Sequence, residues 1–233
     1  MIVRPALSHP WHLSEKAAAE LQQLLASRVI TEDRLPERIT AVAGVDAAYS
    51  NDDSVAFAAV ALIDVSTKSV KEVVSAVEPV RFRYVPGLLS FREIPVLTAA
   101  FEKLAARPDL VVCDGHGIAH PRRFGLACHL GVIFDLPTIG CAKTHLVGDV
   151  HEPGHTRGSL SSVVHKGETV GALLRTRDGV KPLFVSPGHR VSVQTACLWI
   201  LALSPQYRLP EPIRIADQLV NKMKREARSS SSG

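Results

Sequence analysis

The chain has 233 residues, of which 46% are hydrophobic, 21% charged and 5% aromatic, with four cysteines and a formal net charge of +4. These proportions describe a globular chain with an aliphatic core, exclude a disulfide-dependent miniprotein, and leave too few aromatics for a binding surface built mainly on stacking. No run reaches the ~18 apolar residues of a membrane span, and Met1 to His12 lacks a charged-then-apolar leader, so a cytoplasmic protein without a membrane partner is expected.

Cys113, Cys128, Cys141 and Cys197 are spaced too widely for a CxxC motif and read as small buried hydrophobes. The excess of 27 Lys and Arg over 23 Asp and Glu suits a polyanionic partner without singling one out.

A capping serine opens the first element, Ser14 to Arg28, where Ala17, Ala18, Leu21, Leu24 and Leu25 recur at helical intervals and predict an amphipathic helix with a structural role. Ile39 to Tyr49, Ser54 to Asp64 and Ser69 to Pro79 are β-rich runs separated by hairpin-length polar segments, which predicts an antiparallel three-strand meander. The period then changes. Ile94, Leu97, Ala100, Phe101 and Leu104 mark a helix that ends before Pro108. Leu110 to Cys113 reads as a strand buried on both faces, Gly125 to Phe134 as a helix and Thr138 to Ala142 as a second strand, giving a βαβ unit with a parallel core.

Leu146 to Gly167 shows no periodicity and is expected to form a long loop over a site. Thr169 to Thr176 and Val180 to Val185 flank Arg177-Asp178-Gly179 as a hairpin. Helices over Val191 to Leu203 and Glu211 to Arg228 follow, the last with Lys222, Lys224, Arg225 and Arg228 at its C-terminal end, where cations suit the helix dipole. Residues 229–233 are expected to be a disordered tail, leaving 1–228 as one domain without repeats or linkers. The order resembles the ribonuclease H-like fold, an α/β mixed sheet flanked by helices.

Two acids stand where acids do not help folding. Asp46 interrupts the apolar run Val42 to Ala48, and Asp114 ends the buried strand before Gly115-His116-Gly117. A buried carboxylate costs several kcal/mol unless cations or donors compensate it, so two on adjacent strands suggest a shared cation. Glu93 reads two ways: Ser90-x-x-Glu93 matches a capping box, while beside Asp46 and Asp114 it reads as a third oxygen ligand for Mg²⁺, which activates water against a phosphodiester. His116, His120, Arg122 and Arg123 lie within ten residues of Asp114, and are either phosphate contacts or hydrogen-bonded structural groups. Lys143 follows a strand end, where it is either a solvated lysine or a clamp on a phosphoryl group. The stiff turn Arg83-Tyr84-Val85-Pro86-Gly87-Leu88-Leu89 is either a connection or an apolar wedge between bases.

Five blocks carry a resemblance that spans nearly the whole chain in order: Gly44 to Tyr49, Tyr84 to Glu93, Asp114 to Arg122, Cys141-Ala142-Lys143 and Leu209 to Pro212. Together they are similar to the endonuclease V family, deoxyinosine 3′ endonucleases of nucleic-acid repair. The resemblance implies a ribonuclease H-like, Mg²⁺-dependent hydrolase, with Mn²⁺ able to substitute, that cuts the second phosphodiester 3′ to deoxyinosine and leaves 3′-hydroxyl and 5′-phosphate. By position it makes Asp46, Glu93, Asp114 and Asp217 metal carboxylates and Lys143 a group near the scissile phosphate. It also makes Tyr84, Val85, Pro86 and Gly87 the wedge, and Gly115, His116 and Gly117 the wall against an extruded hypoxanthine. One departure is Arg83, where the family pattern usually has proline, which leaves the tip less built-in stiffness. The implied partner is deoxyinosine-containing DNA, with inosine RNA or a non-catalytic lesion-binding role as alternatives and no obligate protein partner.

Overall fold

The computed structural model describes residues 3–230. Its first helix, α1 (Glu15–Ala26), is capped by Ser14, whose side chain accepts from the Ala17 amide at 3.2 Å. Strands β1 (Ala41–Tyr49), β2 (Val55–Asp64) and β3 (Val70–Pro79) form the expected meander, followed by α2 (Leu89–Phe101), β4 (Leu110–Cys113), α3 (Leu126–Phe134) and β5 (Thr138–Ala142). Then come β6 (Leu160–His165), β7 (Glu168–Leu174), β8 (Leu183–His189), α4 (Val193–Ala202) and α5 (Glu211–Ser230). The strands make one eight-stranded sheet in the order β3-β2-β1-β4-β5-β8-β7-β6, with β1, β4 and β5 parallel at its centre and the rest antiparallel. This is the mixed ribonuclease H-like sheet expected.

Alternation along β1 and β4 divides the interior. Ala43, Val45, Val111 and Cys113 join α2 and α3 in one apolar cluster, while Val42, Leu110 and Val112 face Ile213 of α5 and Ala196, Cys197 and Ile200 of α4. A strand covered on both faces tolerates few polar residues, hence the continuous apolar runs. All four cysteines are buried and unpaired.

Four expectations are corrected. The segment over 146–167 is not all loop: it contributes β6, which turns into β7 through Lys166 and Gly167, both at positive φ (54° and 80°), the two-residue turn that suits a twisted hairpin. Its Lys-Gly pair lacks the usual Asn-Gly or Asp-Gly signal. The β7–β8 hairpin is longer at its turn than expected, with β8 starting at Leu183 and running to His189. Ser90 is no cap: α2 begins one residue earlier, and Ser90 Oγ lies 2.9 Å from His129 Nδ1. The last helix continues through Ser230, so Ser229 and Ser230 are helical where a tail was expected, and 231–233 lie outside the described residues. Among the described residues, no helix is long and apolar enough to cross a membrane.

Phe101 and Phe134, both fully buried, lock α2 to α3 with ring centroids 4.8 Å apart. Phe101→Ala is expected to cost about 3–5 kcal/mol in denaturant unfolding, because the cavity left cannot close between two anchored helices.

Candidate active site

The parallel pairing of β1 and β4 sets Val45 opposite Cys113, so the next residue on each strand, Asp46 and Asp114, emerges at the same sheet edge. The Asp114 amide donates to the Val45 carbonyl at 3.3 Å and holds that register past the last strand residue. A third carboxylate arrives from α5, which crosses β1 at Gly44. A Cβ there would lie 2.2 Å from the Pro212 carbonyl carbon and 2.4 Å from the Ile213 amide nitrogen, so only glycine lets the helix start lie against the strand backbone. Asp217 then reaches the edge. Asp46, Asp114 and Asp217 each offer a carboxylate oxygen within 4.8 Å of the other two.

Lys143, one residue past β5, donates to Asp114 Oδ2 at 2.5 Å and stands 3.8 Å from Asp217 Oδ1. Burial opposes its charge, but the bond to Asp114 and the charges of Asp114, Asp46 and Asp217 outweigh burial and raise its pKa. Asp46 is pushed up to about 7, first by burial and then by Asp114, with Asp217 adding and Lys143 opposing. Three carboxylates against one ammonium leave an excess of negative charge. All-oxygen donors at this spacing fit a hard divalent cation.

Glu93 stands beside this set rather than in it. It enters from α2, on the opposite helix layer from α5, and burial, then Asp46 and Asp114, hold its carboxyl well above the usual range against the opposing Arg92. The convergence expected of Asp46, Glu93 and Asp114 is thus made by Asp46, Asp114 and Asp217.

Next to the carboxylates is a cavity of about 310 Å³ walled by Tyr84, Pro86 and Gly87 on one side and by Asp114, Gly115, His116 and Lys143 on the other. Leu126, Thr144 and Gln22, which sequence reasoning did not reach, also line it, as does His120. His116 Nε2 donates to the Thr144 carbonyl at 3.0 Å, which leaves Nδ1 as a lone pair, and that buried atom has no protein partner. Burial pushes the His116 pKa down to about 4, so the ring is neutral at pH 7.

Residues 23–218 match the sequence model of the Endonuclease V family. The Endonuclease V of Nostoc punctiforme is 49% identical over 213 residues, 91% of this chain and 96% of its own. The chain belongs to the endonuclease V family. It is an endonuclease, a hydrolase, as the curated relatives are. The crystal structure of the Streptomyces avermitilis Endonuclease V is 46% identical, with a TM-score of 0.89 over 97% of this chain and 99% of its own. That of Ciona intestinalis Endonuclease V, 25% identical with a TM-score of 0.80 over 92% of this chain and 100% of that one, was solved in complex with a 23-nucleotide DNA containing an inosine followed by a ribo-adenosine.

Within this endonuclease V fold, several residues singled out by the family blocks are placed differently from expectation. Tyr84 is 63% exposed and Pro86 is exposed, but Val85 is half-buried against Phe82, Leu88 and Phe91, so it anchors the loop instead of forming its tip. Gly115 lines the cavity, where a Cβ would crowd Leu126 at 3.1 Å. Gly117 does not line it: a Cβ would stand 1.8 Å from the Pro187 carbonyl oxygen, so this glycine is needed for packing on β8. His120 and Arg122 bond to the Gly87 carbonyl, and Arg123 pairs with Glu168 and the His165 carbonyl, which gives all three structural partners in this state, His120 at the cavity wall.

Because Asp46 titrates near 7 in the folded protein and near ~3.9 unfolded, the metal-free fold holds a proton that the unfolded chain releases. Stability therefore falls as pH rises from about 4 through about 7. Asp46→Asn removes this dependence. In EDTA at pH 8 the variant is expected to be more stable than the parent by on the order of 2 kcal/mol, with the gap closing by about pH 4. Thermal melts across pH check this, and a gap that does not change with pH would contradict it.

Proposed function

We propose that the chain is a divalent-metal-dependent endonuclease that takes an inosine base into the cavity and hydrolyses the second phosphodiester on its 3′ side, leaving a 3′-hydroxyl and a 5′-phosphate. Deoxyinosine in DNA is the proposed substrate, and inosine in RNA the alternative on the same site. The observation that carries this reading is that Asp114 and Lys143 belong at once to the cavity wall and to the acidic cluster. A base held in the cavity leaves its own backbone beside the carboxylates.

The cavity is at the small end of ligand sites and suits one purine. The neutral His116 ring presents an acceptor, which matches the N1–H of hypoxanthine, a donor where adenine has a lone pair. Taking a base out of a stack requires something to hold the gap, and the exposed Tyr84 and Pro86 are placed for that.

Asp46, Asp114 and Asp217 would hold Mg²⁺, or Mn²⁺ in its place, and when bound the ion supplies an activated water and neutralises charge on the phosphate. Lys143 fixes the orientation of Asp114 through its 2.5 Å bond and is placed to stabilise charge developing on the phosphate. Burial and its acidic neighbours raise the Glu93 pKa, which favours the neutral carboxyl beside the metal-free cluster.

The test is end-labelled DNA with one deoxyinosine, and the matching inosine RNA, each incubated with Mg²⁺, with Mn²⁺ and with EDTA. A metal-dependent nick after the nucleotide 3′ to deoxyinosine is expected. A preference for RNA would move the substrate to inosine RNA, and no cleavage of either would refute the reading. Asp46→Ala and Asp114→Ala are each expected to reduce cleavage by roughly 10³-fold while retaining lesion binding in Ca²⁺, measured by gel shift. His116→Leu is expected to narrow the preference for inosine over adenosine about tenfold, the cost of one lost hydrogen bond, in competition assays.

A further inference from the structure

In the loop over 83–87, Val85 and Gly87 are half-buried, while Arg83, Tyr84 and Pro86 are exposed. Arg83, Val85 and Gly87 each meet α1 or the apolar cluster to which it contributes. Arg83 Nε donates to Glu15 Oε1 at 2.5 Å, and Val85 packs on the cluster that contains Ala18. The Gly87 carbonyl accepts from Gln22 Nε2 at 3.1 Å. Glu15 and Gln22 are seven residues apart, two helical turns, and so lie on one face of α1.

The Gly87 end is built with unusual density. Its carbonyl accepts from Gln22, from His120 Nε2 at 3.0 Å and from Arg122 Nη2 at 2.6 Å. Gln22, 1% exposed, also donates to the Phe124 carbonyl at 2.6 Å and accepts from Arg122 Nε at 2.5 Å. Gln22 also borders the cavity, but both of its amide hydrogens and its Oε1 are used within the protein, so it offers no free donor to a base there. Gly87 itself sits at φ +80°, which glycine adopts without penalty, so the loop's exit direction is set by this network and not by a side chain of its own.

We propose that α1 is the splint of this loop and that Gln22 is a positioning residue. By fixing the Gly87 carbonyl it holds Tyr84 and Pro86 rigid against a duplex, and the Glu15–Arg83 bridge secures the other end in place of proline stiffness. The inference rests on the base-extruding role given to the loop above. A splint matters only while paired strands must be parted. Its loss is therefore felt on duplex substrate and not on a single strand whose inosine is already unstacked.

The experiment compares the parent with Gln22→Met, which keeps the volume and removes the amide, on duplex and single-stranded inosine oligonucleotides. A fall of roughly tenfold or more in kcat/KM on duplex, carried by KM, with single-strand cleavage within about twofold, is expected. 2-Aminopurine beside the inosine should brighten less on binding in Ca²⁺. Hydrogen exchange of the 83–88 amides should quicken. Because the Glu15–Arg83 bridge is exposed, a milder and salt-sensitive duplex loss is expected for Glu15→Arg, restored when Arg83→Glu is added. Equal losses on both substrates, or none on duplex, would overturn the proposal. If the parent cuts no inosine at all, the functional reading fails, and the splint itself is then decided by the exchange of 83–88, unchanged rates refuting it.

Discussion

Helix α5 lies on β1 at Gly44, where any side chain would overlap the backbone of Pro212 and Ile213, and that contact brings Asp217 to Asp46 and Asp114. The other two acids need no such arrangement, since the parallel register of β1 and β4 already puts them at one edge. The cluster is therefore as precise as this close helix-on-strand approach. Core residues on both sides of that approach, Val42 and Val112 from the strands and Ile213 from the helix, keep it from relaxing.

Concentrating carboxylates at such an edge works against folding. Burial and mutual repulsion drive Asp46 to about 7 and Glu93 higher than usual, and Lys143 is, among the described residues, the ammonium that pairs with the set. The metal-free fold is thus under electrostatic strain at neutral pH that a bound cation would relieve, a common relation between stability and function. The same charges that weaken the empty fold would favour a hard ion.

The cavity and the carboxylates are joined through short connections. Asp114, Gly115 and His116 follow directly on β4, Lys143 and Thr144 directly on β5, so a rigid sheet holds one wall. The opposite wall is the 84–87 loop, whose stiffness comes from side-chain and carbonyl bonds to α1 and to the 120–122 segment. One wall is set by backbone pairing and the other by a polar network, which is why the loop side is the one that changes at a single buried amide can alter.

Asp46 and Asp114 were legible from sequence because an ionised group inside an apolar strand has no folding rationale and stands out against its neighbours. The meander, β4, α3 and β5 were legible for the same kind of reason, since burial on one or two faces imposes a period. Ser14 was legible as a cap. Val85 and Gly117 were singled out by the family blocks, and only packing against Phe82 and Pro187 gives them structural roles. Strand β6 was missed because an edge strand that is only partly buried carries little hydrophobic period. Asp217 came from family resemblance alone: an acid on an amphipathic helix costs nothing locally, and it joins Asp46 and Asp114 only when Gly44 lets the helix down onto β1. Gln22 carried a faint signal, a polar residue spaced with Ala18 and Leu25 on the buried face of α1, but its partners are 65 to 102 positions away. The sequence by itself determined which residues must be inside and which acids were out of place. Which distant groups meet was decided by tertiary structure, because that depends on how closely helices and strands can approach.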